Sequence, residues 1–112
     1  MSAPELTIVV PTFNESENVA ELIQRVEAVM DGVDFEMVFV DDDSPDGTAE
    51  LVFEISRRNS CVRGIKRVGR RGLSSACIEG ICSSSAPYVA VMDADLQHDE
   101  RVLPKMLETL KE

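Results

Sequence analysis

No stretch of this chain is apolar for long enough to cross a bilayer, and its N-terminus lacks the basic-then-apolar order of a secretory signal. The expected compartment is therefore the cytoplasm. Cysteine is scarce: Cys61, Cys77 and Cys82 make an odd count with no C-x-x-C spacing. That argues against a disulfide framework or a thiolate zinc site, and no neighbouring base marks a catalytic thiol. Histidine occurs once, at His98, where a lone loop residue is expected to be merely exposed. Positive charge is short as well. Eleven Lys and Arg face 21 Asp and Glu, for a net charge of −10, and such a surface excludes nucleic acid as a partner. Two glycine fingerprints are also missing. Without G-x-x-x-x-G-K-[ST] there is no P-loop, and without G-x-G-x-x-G after the first strand there is no nicotinamide or flavin site.

What is present suits one small domain over residues 1–112, with 44% hydrophobic and 29% charged residues. Leu6 to Val10 is a β-branched run that Pro11 is expected to stop. Asn14 or Ser16 can cap the helix that follows. Its inward face is Val19, Leu22, Ile23, Val26, Val29 and Met30. A second strand spans Phe35 to Val40, and a second helix runs from Ala49 to Arg58 with Leu51, Val52 and Ile55 inward. A weaker strand from Val62 to Val68 carries Lys66 and Arg67. The basic loop Gly69-Arg70-Arg71-Gly72 then enters a third helix, residues 73–83. A fourth strand begins after Pro87, and a last helix contains Pro104 in its first turn with Leu103, Met106, Leu107 and Leu110. The alternation predicts an α/β fold: a parallel-type sheet with helices on both faces and ligands bound outside the carboxyl ends of the strands.

Three strand ends carry the polar chemistry. Val89 to Met92 runs into Asp93-Ala94-Asp95, whose two carboxylates, one residue apart, can converge on a hard cation such as Mg2+ or Mn2+. Asp41, Asp42 and Asp43 end the second strand, and alternation sends Asp42 opposite to the other two. Either one of them bonds a ribose or base, or the group forms an Asx-turn and caps the next helix through Ser44 and Asp46. Pro11 to Glu15 ends the first strand. The amides and arginines of residues 69–72 could receive phosphate, or the loop could be a solvated basic turn. Two like charges about 4 Å apart cost roughly 4 kcal/mol near a surface, so a diphosphate brought to these aspartates needs a divalent ion.

Four segments in this order resemble the nucleotide-binding half of an inverting family 2 glycosyltransferase with the Rossmann-like GT-A fold, closest to dolichol-phosphate mannosyltransferases and other polyprenyl-phosphate glycosyltransferases. They are Ile8 to Glu15, Val40 to Thr48, Arg70 to Ala76, and Met92 to His98. The resemblance implies that Pro11, Phe13 and Glu15 line the nucleotide pocket, with Phe13 where the family usually has tyrosine. It implies that Val40 and Asp42 contact base or ribose, that Ala94 lies against the nucleotide, and that Asp93, Asp95 and Gln97 hold the Mg2+ or Mn2+. The donor would be GDP-mannose or a UDP-sugar. The acceptor would be a lipid phosphate, met at the cytoplasmic face of a membrane.

The chain stops soon after Asp95, whereas such catalytic domains run to about twice this length, so the acceptor half and its catalytic residues are expected to be missing. Asp99-Glu100 stands where the family often has proline. A truncated sheet would leave an uncovered edge or apolar face, favouring a homo-oligomer. A non-catalytic donor- or partner-binding domain is the alternative. A receiver-type signalling domain fits less well, because Pro11-Thr12 stands where it would carry an acidic pair.

Overall fold

The computed structural model describes residues 4–96 and 100–111. In chain order the elements are β1 (Leu6–Thr12), α1 (Ser16–Val29), β2 (Phe35–Asp41), α2 (Thr48–Arg58), β3 (Val62–Lys66), α3 (Leu73–Cys82), β4 (Tyr88–Val91) and α4 (Val102–Lys111). The strands form one parallel sheet in the order β3-β2-β1-β4. The chain winds outward from β1 through β2 to β3, then crosses to the far side of β1. That reversal puts a crevice at the carboxyl ends of β1 and β4, the place where open α/β sheets bind ligands.

Period-2 alternation sorts the side chains onto two faces. On one face Leu6, Ile8, Val10, Met37 and Phe39 meet Val19, Leu22, Ile23, Val26 and Met30, together with Val52 of α2 and Leu103 and Leu107 of α4. The α1 stripe expected from spacing is thus the core face, with only Val29 less than fully buried. The other face is thinner: Val9, Val38 and Val40 are buried with Ala76 of α3. α3 comes close because Gly80 has no side chain. Ile78 and Ile81 of α3 and Val91 of the edge strand β4 stay exposed.

β1 does not stop at Pro11. It continues to Thr12, with Pro11 opposite Val40. The Met92 N–H donates to the Val9 carbonyl at 2.9 Å, so odd-numbered residues of β1 turn their backbone groups toward β4. The β4 register ends at Val9 opposite Val91. The nitrogen of Pro11 therefore faces the side where no strand follows, and its missing N–H costs the ladder nothing. β3 is shorter than expected, ending at Lys66, and Arg67 leaves the strand with its N–H still bonded to the Asp41 carbonyl. Among the described residues no helix is long and apolar enough to cross a membrane.

Candidate nucleotide site

The turn after β1 is held by a loop about thirty residues away. The expected cap from Asn14 or Ser16 does not form, and α1 starts after Glu15 with no side-chain cap of its own. The β2–α2 loop supplies the acceptors instead. Ser44 Oγ accepts from Asn14 N–H, Thr48 Oγ1 from Glu15 N–H, and Asp46 Oδ2 from Ser16 N–H. Asn14 can enter the left-handed region, φ 56°, as asparagine tolerates well. Asp46 carries two jobs, since its other oxygen accepts from Thr48 N–H at the start of α2. The Thr48 hydroxyl and the Ser16 and Thr48 amides hold its carboxyl below the usual range, against a weaker opposing effect of burial.

The three acids of the triplet take different directions, and the turn-forming one among them is Asp41. Asp41 is buried and structural: it accepts from Thr12 Oγ1 at 2.7 Å, Ser44 N–H at 2.9 Å and Ser44 Oγ at 2.6 Å. Asp43 turns outward at φ 57° and meets Lys66 at 3.7 Å. Asp42 faces the other way, into a cavity. Its oxygens are gripped by Arg67, Nε to Oδ1 at 2.6 Å and Nη2 to Oδ2 at 3.1 Å, while Gly72 N–H adds a third bond to Oδ2 at 3.1 Å. Burial pushes the Asp42 carboxyl up, but the Arg67 and Gly72 hydrogen bonds and the charges of Arg67 and Arg71 outweigh it and hold the group below its ordinary range.

Arg67 is 1% exposed and also donates to Ser75 Oγ at 2.9 Å and to the Gly72 carbonyl at 3.1 Å. Glu79 lies 3.5 Å from Arg67 Nε, with its Oε2 buried and without a hydrogen bond, and its Oε1 pairs with Arg70 at 2.9 Å. The basic loop is therefore largely committed within the protein: Gly72 N–H to Asp42, Arg70 to Glu79. Arg71 instead sits over the Phe13 ring, 5.3 Å from its centroid.

A cavity of about 400 Å3 opens at the carboxyl ends of β1, β2 and β4, lined by Pro11, Thr12, Phe13, Glu15, Asp42, Leu73, Ala76, Asp93, Ala94 and Asp95. Phe13 is 45% exposed there, with Arg71 lying over its ring. The fold thus brings together Pro11, Phe13, Glu15, Asp42, Asp93, Ala94 and Asp95 from three separate strand ends. Val40 is not among the lining residues. Its side chain is fully buried under α3, because strand alternation turns it toward Ala76. Gln97 and His98 lie outside the described residues. Thr12, Leu73 and Ala76 also line the cavity, although their motifs assign them no contact.

β4 ends at Val91, and burial alternates through the bend after it: Met92 and Ala94 are buried while Asp93 and Asp95 are exposed. Both carboxylates therefore stay on the cavity side. Hard carboxylate oxygens are the donors that Mg2+ and Mn2+ accept, with water and phosphate filling the remaining positions. Among the described residues no three acidic, histidine or cysteine side chains form a metal-holding group. The cysteines take no part. All three are free, and burial, aided by Glu27 and Asp34, pushes the Cys61 thiol up and keeps it protonated.

Comparison with known proteins converges on one family. The family model described as Glycosyl transferase family 2 matches residues 7–112. The dolichol-phosphate mannosyltransferase of Pyrococcus furiosus is 44% identical over 107 residues, which is 96% of this chain and 30% of that protein. The protein of the same name from Saccharomyces cerevisiae is 38% identical over 109 residues, 95% of this chain and 41% of its own length. The chain spans less than half the length of these curated relatives. Among solved structures, mannosyltransferase PcManGT from Pyrobaculum calidifontis, in complex with GDP-Man and Mn2+, superposes with a TM-score of 0.74 at 24% identity, over 99% of this chain and 32% of that one. Glucosyl-3-phosphoglycerate synthase from Mycobacterium tuberculosis, with Mn2+, UDP and phosphoglyceric acid, gives 0.71 at 22% identity, over 96% and 39%. At such identities the likeness is one of fold, that of GT-A glycosyltransferases.

Proposed function

The chain belongs to glycosyl transferase family 2, and from that premise we propose that its cavity binds a nucleotide-sugar donor, GDP-mannose or a UDP-sugar, for inverting transfer of the sugar to a polyprenyl or dolichyl phosphate. One observation carries the reading. A single cavity joins an exposed aromatic face, Phe13, a fixed carboxylate, Asp42, and a carboxylate pair, Asp93 and Asp95. These match three features of a sugar nucleotide: a base to stack, an N–H or O–H group to donate to the carboxylate, and a diphosphate that needs a cation. Pro11 and Ala94 form the walls between them.

Phe13 offers the base a stacking surface and Asp42 accepts a hydrogen bond from base or ribose. Asp93 and Asp95, with Gln97 expected beside them, would hold Mg2+ or Mn2+. Such an ion supplies Lewis-acid stabilisation of charge on the departing diphosphate. In the transfer, an acceptor phosphate oxygen bonds to the anomeric carbon from the face opposite the donor diphosphate. The carbon–oxygen bond to the nucleotide breaks, its electron pair leaves on the diphosphate, and the configuration inverts. The donor part of this chemistry is what these 112 residues carry. The lipid-phosphate acceptor is supported by the similarity to proteins named dolichol-phosphate mannosyltransferases.

The experiment is calorimetric titration of the chain with GDP, UDP and their sugar forms, with and without Mn2+, beside transfer of labelled sugar to a polyprenyl phosphate. Metal-dependent binding with turnover supports the whole reading. Binding without turnover limits this chain to donor binding, which is the favoured alternative. Absence of nucleotide binding in all arms overturns the proposal.

A further inference from the structure

Asp42 lies at a strand end flanked by Asp41 and Asp43, in a chain of net charge −10 that sets Asp93 and Asp95 on the same cavity. Like charges at such spacing oppose its ionised form, and an unheld aspartate would rotate among several rotamers. The structure removes both freedoms with Arg67. Its guanidinium fork meets the two carboxylate oxygens at 2.6 and 3.1 Å, a bidentate arrangement that fixes the plane of the carboxylate as well as its charge. The fork is fixed in turn, from its far side, by Ser75 Oγ at 2.9 Å and the Gly72 carbonyl at 3.1 Å. Burying an arginine to 1% exposure is costly unless its donors are used, and here two of its four side-chain hydrogen bonds go to Asp42. The orphaned Glu79 Oε2, 3.5 Å from Nε, shows the same preference: where two carboxylates compete, Asp42 takes the close contacts.

The consequence lies in what Asp42 has left to offer. Oδ2 already accepts two hydrogen bonds, from Arg67 and Gly72, and Oδ1 accepts one. A carboxylate oxygen has room for about two, so one acceptor direction on Oδ1 remains. We infer that Arg67 is a positioning residue of the donor site: by gripping Asp42 it fixes the single acceptor direction that reads a hydrogen-bond donor of the bound nucleotide, a ring N–H of the base or a ribose hydroxyl. This rests on the donor-binding reading of the cavity. Lysine at position 67 would keep the charge but not the fork, and the carboxylate would regain its rotation.

The test is titration of the 112-residue chain with Mn2+ and whichever of GDP or UDP it binds, and with two analogues of that nucleotide. One lacks the 2′-hydroxyl and the other is methylated at the ring N–H. The protein should bind one analogue roughly 10- to 100-fold more weakly than the parent nucleotide, as expected for a hydrogen bond to a charged acceptor, and the weaker analogue identifies the donor group. Arg67→Lys should erase that preference, and so should Asp42→Ala, with no further loss in the double variant. Ser75→Ala, a milder change that loosens only the back of the fork, should reduce it and covers the case in which Arg67→Lys does not fold. A merely structural role for Arg67 would weaken all three ligands equally and preserve their ratio. A preserved ratio in the folded variants, or equal binding of both analogues by the unmodified chain, overturns the inference while the donor-site reading stands. No binding of GDP or UDP by the unmodified chain overturns that reading instead, and the inference with it.

Discussion

Gly80 of α3 lies directly on Val9 of the central strand β1, so close that a methyl group placed on Gly80 would be 2.4 Å from Val9 Cγ1. Val9 is fully buried and cannot yield. Gly80→Ala should therefore lift α3 off the sheet and cost about 1–3 kcal/mol. The loss should appear in urea unfolding as a lower midpoint with an unchanged slope, and it should enlarge the cavity's α3 wall at Ala76.

Phe13 should carry the stacking part of donor affinity. Base–aromatic stacking is worth roughly 1–3 kcal/mol, so Phe13→Ala should weaken nucleotide binding by about one order of magnitude or more with little change in thermal stability. Arg71→Ala removes a contact worth roughly 0.5–1 kcal/mol at an exposed site. Comparing the two by calorimetry separates the ring from its cation.

Acid should unfold the chain partly through two carboxylates. Arg63 hydrogen bonds, opposed by burial and aided by Thr7, hold Glu36 low, at 2.8 Å for the closest contact. Asp42 is held low by Arg67 and Gly72 against burial. A depressed folded pKa means that the stabilisation is fully present above the ordinary carboxylate range, about pH 4, and is lost as pH falls through the folded value. The melting temperature should thus be insensitive to these groups near neutrality and drop below about pH 4. Asp42→Asn should flatten that acid limb. An unchanged limb would show that the pair does not titrate with folding.

Asp93→Ala and Asp95→Ala should each abolish the Mn2+ dependence of nucleotide binding while leaving the fold intact, because both side chains are exposed and Ala94 supplies the core contact between them. Titration with Mn2+ present and absent reads this directly. Curves that still separate in both variants would remove the pair from cation binding.

Much of this was legible in one dimension. The α1 stripe from Val19 to Met30 has helical spacing, and the strand alternation that separates Asp42 from Asp41 and Asp43 is local. Arg67 was not legible as more than a strand residue, because its partner is 25 positions away and meets it only once β2 and β3 are side by side. Pro11 misled for a similar reason. Whether a proline ends a strand depends on which neighbour its nitrogen faces, and that is set by where β4 stops. Val40 reads as a site residue from its motif, yet pleating turns its side chain beneath α3.

The borrowed caps of α1 tie its first turn to a segment not yet ordered when β1 and α1 alone are in place. The amides of Asn14, Glu15 and Ser16 find acceptors only on Ser44, Thr48 and Asp46. Opening the β2–α2 loop should therefore release all three at once, and with them the ring of Phe13. In hydrogen exchange the two loops should behave as one unit with a common opening rate, so that this edge of the cavity assembles late and comes apart first.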